Sequence, residues 1–268
     1  MIPSGPIKAC LIDLDGVIYT GAGAIPGAVE MVQTLQDHDL PFMFVTNTTS
    51  RPCSALVEKL AGFGLSVSPK RIWTPPMAAA AWLRAHAAGP TAFFLPQATQ
   101  AEFTDIVRFD PRQHARATAV VVGDLLDEWT YARLNAAFQH LMQDPRPQLL
   151  ALGMTRYWRA EDGFRLDVGS FVKALEYAAG CEALVLGKPA PAFFETALDL
   201  LNVKADQALM IGDDIRVDVK GAQAAGMAAA LVRTGKFTPR DLQEEIKPQW
   251  VLESIADLGL ILGWEDTP

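Results

Sequence analysis

Acidic residues at the ends of apolar runs are the feature of this sequence best suited to chemistry. Asp13 and Asp15 follow one apolar run near the start of the chain, and Asp213 and Asp214 follow another near its end, with Asp218 one helical turn further on. Carboxylates are seldom buried without a partner, so acidic pairs after buried strands favour a catalytic or metal-binding role. Asp also commonly caps loops, and the pattern alone leaves that role open.

Uncharged polar and cationic side chains follow two further apolar runs. Thr46 and Asn47 follow the run 41–45, and Lys188 follows the run 183–187. Hydroxyl, amide and ammonium groups at strand ends suit an anion such as a phosphate group. Two plainer readings stay open: this polar segment is an ordinary helix cap, centred on Ser50, and Lys188 is a solvated surface lysine.

Together these residue types predict phosphoryl chemistry assisted by a divalent cation. Hard carboxylate oxygens suit Mg²⁺, and no His or Cys pattern among these residues suits zinc. We expect Asp13 to attack phosphorus as the nucleophile, and Asp15 to act as general acid and then general base. We expect Asp213 to hold Mg²⁺ with Asp13 and the main-chain carbonyl of Asp15. The predicted phosphate-binding residues are Thr46, Asn47 and Lys188.

Two further acidic residues have less defined roles. Asp218 is predicted to support the metal site through a water molecule or through Lys188. Asp214 could face solvent while Asp213 binds the metal, so its role is left open. The four histidines show no spacing that suggests a ligand set.

The elements that must position these residues alternate between strand and helix. Such alternation predicts an α/β fold with a Rossmann-like parallel sheet, in which the carboxyl ends of the strands share one edge. Residues 1–77 and 183–268 are predicted to form this core. Residues 78–182 carry their own strands and helices and are predicted to be an inserted α/β domain.

The sequence also predicts individual helices, a loop and a hairpin. Residues 216–225 and 238–246 are predicted to be helices, and the segment with Gly21 and Gly23 a loop beside the first aspartates. Residues 156–166 are predicted to form a hairpin that turns at Asp162 and Gly163. Its aromatic side chains could contact substrate, although such residues more often pack in a core. They are Tyr157, Trp158 and Phe164.

Composition narrows the class of protein. The 268 residues carry a formal net charge of -8, which argues against a general nucleic-acid binder. The three cysteines lack a CxxC spacing and are typical of reduced cytosolic thiols. We see no secretory signal and no apolar stretch of about 18 residues, so the sequence predicts a cytoplasmic protein without a membrane anchor.

Four motifs in order resemble those of the haloacid dehalogenase-like hydrolases. They are Asp13-Leu14-Asp15-Gly16-Val17, Val45-Thr46-Asn47, Leu186-Gly187-Lys188-Pro189 and Ile211-Gly212-Asp213-Asp214 through Asp218. The large insert resembles the cap of subfamily IIA, the NagD-like group. The segments 156–163, 167–177 and 232–236 are most similar to the phospholysine phosphohistidine inorganic pyrophosphate phosphatases and their hydrolase-domain-containing relatives.

The resemblance implies a Mg²⁺-dependent phosphatase of small phosphorylated metabolites that works through an aspartyl-phosphate. It also implies a C2-type cap that closes over the substrate. A homodimer through that cap would be ordinary for such relatives, and the oligomeric state is left open. Some animal members carry Ser where this chain has Asp15, so Asp15 implies an active enzyme while the substrates of those members are not carried over.

Three other classes are considered. A phospho-signalling receiver also uses Asp, Mg²⁺, Thr and Lys, but receivers are much shorter and their nucleophile follows the acidic pair. A dehalogenase has no need of Mg²⁺ or of Asp15 as an acid. The remaining alternative is a catalytically weak binding or regulatory protein on this fold, against which the presence of both Asp13 and Asp15 argues.

Overall fold

The computed structural model describes residues 5–160 and 163–264. Strands and helices alternate along most of this length. The strands are β1 (Ala9–Ile12), β2 (Tyr19–Thr20), β3 (Gly23–Ala24), β4 (Phe42–Val45), β5 (Ile72–Trp73), β6 (Thr91–Phe94), β7 (Ala119–Val122), β8 (Gln148–Ala151), β9 (Tyr157–Ala160), β10 (Gly163–Leu166), β11 (Leu184–Val185), β12 (Ala208–Gly212), β13 (Ala228–Val232) and β14 (Trp250–Leu252). The α-helices are α1 (Ala28–Asp37), α2 (Cys53–Gly62), α3 (Pro75–His86), α4 (Tyr131–Leu141), α5 (Val168–Ala179), α6 (Pro191–Leu201), α7 (Lys220–Ala224) and α8 (Leu258–Leu262).

The described residues divide into two compact units, and the chain passes between them more than once. Of the described residues, the first unit contains 5–46, 54–73 and 188–264, and the second contains 47–53, 74–160 and 163–187. These bounds differ by a few residues from the predicted core and insert, and they assign the short segment 47–53 to the second unit.

A six-stranded parallel sheet forms the centre of the first unit. Its strand order is β14-β13-β12-β1-β4-β5. All four residues of β1 and all five of β12 and β13 are buried, as expected for strands covered on both faces. The chain extends the sheet from β1 to one side through β4 and β5, then returns at β12 and extends it to the other side. The boundary between β1 and β12 is therefore the switch point at which open α/β sheets bind ligands.

A separate parallel sheet forms the second unit, with the order β11-β8-β7-β6. Helices α4 and α5 contribute buried residues to a core that includes Val120, Leu141, Leu149 and Val172. The predicted α/β class, with a parallel-sheet core and a second α/β unit inserted into it, is confirmed.

Some local predictions were wrong. Residues 238–246 contain only a 3-10 turn, Asp241–Gln243, which follows a tight turn in which the Asp241 carboxylate accepts the Thr238 N–H. Residues 216–225 are not one regular helix, since a π-helical turn, Ile215–Val219, precedes α7. The segment predicted as a loop is a small hairpin of β2 and β3, in which Gly21 lies in the turn and Gly23 in β3.

The predicted hairpin of residues 156–166 forms as the antiparallel pair β9 and β10. Its turn residues Glu161 and Asp162, and the Trp158 side chain, lie outside the described part of the structure. Tyr157 and Phe164 contact each other edge to face and are both exposed, so they do not pack in a core. Across residues 5–160 and 163–264, no helix combines the length and apolar character needed to cross a bilayer.

Candidate active site

Asp13 extends from the carboxyl end of the central strand β1. Its own N–H donates to the Ile211 carbonyl at 2.9 Å, which continues the ladder between β1 and β12. Its Oδ1 accepts the N–H of Leu14 at 2.8 Å. The Asp13 residue is only 6% exposed. The strand therefore presents a carboxylate at the switch point of the sheet with little freedom to rotate.

Lys188 lies between two buried carboxylates. Its Nζ is 2.8 Å from Oδ1 of Asp13 and 2.7 Å from Oδ1 of Asp218. Lys188 is 3% exposed and Asp218 is fully buried. The π-helical turn carries Asp218 to this position, where its other oxygen, Oδ2, accepts the N–H of Asp214 at 3.1 Å. Lys188 is thus a buried, ion-paired cation and not a solvated surface lysine.

Burial and neighbouring charges shift the pKa values of Lys188, Asp13 and Asp218 in opposite directions. Burial alone lowers the pKa of Lys188, but the neighbouring carboxylates of Asp13 and Asp218 raise it by more, so the amine stays charged. Burial raises the pKa of Asp13 despite the nearby ammonium. Burial likewise raises the pKa of Asp218 to about 6. Two buried carboxylates thus share the ammonium group of Lys188.

Asp213 completes this acidic group from the end of β12. Ligand atoms of Asp13, Asp213 and Asp218 lie within 4.8 Å of one another. Oδ2 of Asp213 accepts the backbone N–H of Lys236 at 2.7 Å. Burial raises the pKa of Asp213 to about 6, although this N–H opposes the shift.

Two glycines make room for the Asp213 carboxylate. A Cβ atom on Gly16 would lie 1.9 Å from Oδ2 of Asp213, and one on Gly235 would lie 2.0 Å from the same oxygen. Both glycines have positive φ, +85° and +64°, which other residues rarely adopt. The loops after β1 and β13 can therefore close around Asp213 only because both positions lack a side chain.

The donor set fits a hard divalent cation. Oδ1 of Asp213 is buried and has no hydrogen-bond partner among the described residues. A buried carboxylate oxygen without a donor is costly unless a cation binds it. Together with Asp13 it offers the oxygen ligands that Mg²⁺ prefers. Asp218 already accepts from Lys188 and Asp214, which suits a supporting role better than direct coordination.

The remaining predicted residues lie in different surroundings. Asp15 is exposed, and its Oδ2 accepts the Tyr19 hydroxyl at 3.4 Å. Thr46 is buried at the end of β4, with its N–H donated to the Trp73 carbonyl at 3.2 Å. Asp214 is the N-cap of the π-helical turn, because its Oδ1 accepts the N–H groups of residues 216 and 217. That contact gives Asp214 a structural role.

Asn47 belongs to the second unit, beside Gly187. A Cβ atom on Gly187 would come within 3.1 Å of Oδ1 of Asn47 and 2.8 Å of the Leu152 carbonyl. Gly187 directly precedes Lys188 in the chain. The glycine of this motif is therefore needed for close packing within the second unit.

The loop after β13 contributes residues that sequence reasoning did not assign to the site. The hydroxyl of Thr234 donates to the Gly16 carbonyl, and the N–H of Lys236 donates to Asp213. The signal that could have found them is their position, because Thr234-Gly235-Lys236 follows a buried parallel strand just as the other site residues do.

Comparison with known proteins identifies the family. A model described as haloacid dehalogenase-like hydrolase matches residues 10–108, and a second, described as HAD-hydrolase-like, matches residues 185–258. The chain is 39% identical over 266 residues to the human phospholysine phosphohistidine inorganic pyrophosphate phosphatase, covering 97% of this chain and 96% of that protein. The chain belongs to the haloacid dehalogenase-like hydrolase family.

Two solved structures share the fold of this chain. The p-nitrophenyl phosphatase from Archaeoglobus fulgidus superimposes with a TM-score of 0.87 at 28% identity, covering 96% of this chain and 100% of that chain. NagD from E. coli K-12 gives a TM-score of 0.83 at 24% identity, covering 94% of this chain and 98% of that chain, which supports the fold alone. The predicted membership of the NagD-like subfamily IIA is confirmed.

Proposed function

We propose that this hydrolase is a Mg²⁺-dependent phosphatase of small phosphorylated metabolites, cleaving a phosphomonoester, a pyrophosphate or a phosphoramidate. The observation that carries the proposal is the buried cluster of Asp13, Asp213 and Asp218 with Lys188 ion-paired inside it. Relatives named as phosphatases support the same chemistry.

The nucleophile in this proposal is the carboxylate of Asp13. Lys188 and the Leu14 N–H both donate to Oδ1, which fixes the carboxylate's orientation before substrate arrives. A bond forms between a carboxylate oxygen of Asp13 and phosphorus while the bond from phosphorus to the leaving oxygen breaks. Asp15 gives its proton to that leaving oxygen. The result is an aspartyl-phosphate on Asp13.

Water then restores the enzyme. Asp15, now ionised, takes a proton from a water molecule whose oxygen attacks phosphorus, and the bond to Asp13 breaks as inorganic phosphate leaves. Mg²⁺, held by Asp13, Asp213 and the main-chain carbonyl of Asp15, would offset the repulsion between the carboxylate and the phosphate group. Thr46, Asn47 and Lys188 are proposed to orient the phosphoryl oxygens.

The insert is part of the same proposal. We assign residues 78–182 as a cap that excludes water from the intermediate and selects the substrate. A cytoplasmic location and a homodimer formed through the cap complete the proposal. Both rest on the sequence and on the family resemblance.

Phosphate release from a generic aryl phosphate tests the proposal. We expect activity with Mg²⁺, loss of activity in EDTA and its return when Mg²⁺ is restored. Asp13→Asn should abolish turnover while keeping the fold, because the amide cannot form the acyl phosphate. Equal phosphate release by the wild-type protein and the Asp13→Asn variant, with and without EDTA, would contradict the proposal and favour a catalytically weak binding protein.

A further inference from the structure

The side chain of Tyr19 contacts the carboxylate of Asp15. Its hydroxyl donates to Oδ2 of Asp15 at 3.4 Å, and its own carbonyl accepts the N–H of Gly16 at 2.8 Å. Tyr19 is only 1% exposed, whereas Asp15 is exposed. A rigid, buried ring therefore contacts a carboxylate that would otherwise rotate freely in solvent.

Lys59 on helix α2 and Phe63, just after that helix, contact the Tyr19 ring. Nζ of Lys59 lies 3.4 Å from the ring centroid, and the ring of Phe63 packs 5.7 Å away. A cation over the face of a phenol is attracted to the ring and draws electron density from it. The hydroxyl consequently becomes a stronger donor. Lys59, Tyr19 and Asp15 thus form a short chain from α2 to the predicted acid.

We propose that Tyr19 is a positioning residue that fixes the Asp15 carboxylate for proton transfer to the leaving oxygen, with Lys59 supporting it through the ring. This inference rests on the proposed phosphatase function. Because Tyr19 engages Oδ2, Oδ1 is the oxygen that exchanges the proton. Catalytic hydrogen bonds are often long before substrate binds, and we expect the 3.4 Å contact to shorten in the substrate complex.

The inference predicts a specific kinetic signature for Tyr19→Phe. An activated leaving group such as p-nitrophenolate departs without a proton, whereas an alkoxide needs one. We therefore expect kcat/KM for alkyl phosphates to fall about tenfold or more, and kcat/KM for p-nitrophenyl phosphate to change little, because general acid catalysis contributes roughly 100-fold or more. Since kcat/KM reports the steps up to release of the alcohol, hydrolysis of the intermediate does not affect it.

Measurement across a series of phosphate esters of rising leaving-group basicity checks this signature. As leaving-group basicity rises, kcat/KM should fall more steeply in Tyr19→Phe than in wild type, and most steeply in Asp15→Asn. Tyr19→Phe added to Asp15→Asn should change the dependence no further, as expected for residues that act together. Lys59→Met, a half-buried position on α2, should shift the dependence in the same direction by less, and it provides the test if Tyr19→Phe does not fold.

Tyr131→Phe is the matched control, since it removes a hydroxyl from a side chain that is 84% exposed in the second unit. This control variant should leave kcat/KM unchanged for every ester. If Tyr19→Phe lowers kcat/KM by the same factor for every ester, so that its dependence on leaving-group basicity matches that of wild type, the inference is overturned and the proposed function stays intact. A wild-type protein inactive on every ester would contradict the proposed function, and the inference with it.

Discussion

At the scale of single residues, Lys188 is the residue on which the acidic cluster most depends. It is buried and paired at 2.7 to 2.8 Å with two carboxylates whose pKa values burial has already raised. Removing one partner of a buried ion pair leaves an uncompensated charge. Stability and catalysis should therefore both respond to this position.

Lys188→Met should lower the free energy of unfolding by about 3 to 5 kcal/mol near neutral pH, as for other buried pairs that lose a partner. Burial raises the folded-state pKa of Asp218 from 3.8 to about 6, so its buried charge lowers stability in full above pH 6; the cost shrinks as pH falls below 6 and is gone below about 4. The penalty of Lys188→Met should thus shrink in acid. Chemical denaturation at several pH values measures it. Lys220→Met, at an exposed lysine on α7, should have no comparable effect.

Asp213 predicts how Mg²⁺ affinity depends on pH. Its pKa is raised to about 6 in the ion-free protein, first because of burial, so below that pH a proton competes with the cation. Titration calorimetry should show nearly constant affinity above pH 7, and an affinity that falls about tenfold per unit once pH drops below 6. Asp213→Asn should bind Mg²⁺ weakly at every pH. Affinity that rises on acidification would contradict the assignment.

At the scale of elements, two loops meet around Asp213 because each carries a glycine with positive φ. Gly16 and Gly21 lie in the same short segment and both have positive φ, but only Gly16 approaches another group. Substitutions at Gly16 and Gly21 can therefore distinguish the effect of backbone strain from the effect of a steric contact with Asp213.

Gly21→Ala should cost about 1 kcal/mol from backbone strain alone and leave kcat/KM unchanged, since nothing lies within 4 Å of its added Cβ. Gly16→Ala should also displace the Asp213 carboxylate and reduce kcat/KM roughly 100-fold, as small misplacements in active sites do. Activity assays beside thermal unfolding distinguish the two effects. Equal losses of activity would show that the contact with Asp213 is not needed.

The same elements show how far the sequence predicts this site. Asp13 and Asp213 could be expected to meet because each follows a buried strand of one parallel sheet, and such strands end at a common edge. Lys188 was expected there for the same reason, and that reason was wrong, because the strand before it, β11, belongs to the other sheet. The close approach of Gly16 and Gly235 to Asp213 could not be expected, because it depends on loop conformation. The π-helical turn that carries Asp218 was missed as well, since helical periodicity does not distinguish it from an α-helix. Strand β5 is only two residues long and gives no pattern to detect.

At the scale of the whole molecule, the acidic cluster of Asp13, Asp213 and Asp218 lies entirely in the first unit, while the second unit has a sheet and core of its own. A ligand that binds only the folded form of one unit stabilises that unit by mass action. The two units should therefore respond differently to the cation.

Differential scanning calorimetry with and without Mg²⁺ tests this separation. We expect the transition of the first unit to rise in temperature by several degrees at saturating Mg²⁺, and that of the second unit to stay within about one degree. In the Asp213→Asn variant, Mg²⁺ should change the temperature of neither transition. A single transition that shifts as a whole would show that the units unfold together.

The order of strands in the first unit also has a consequence for synthesis on the ribosome. β1 emerges first, but its neighbour β12 follows about 200 residues later, which corresponds to roughly 10 to 40 s of translation. During that interval one edge of β1, whose four side chains are all apolar, has no strand to accept its backbone hydrogen bonds, and unpaired edges promote association between chains. A nascent or prematurely terminated chain that lacks β12 should consequently depend on chaperones, even though every residue up to the insert is already present.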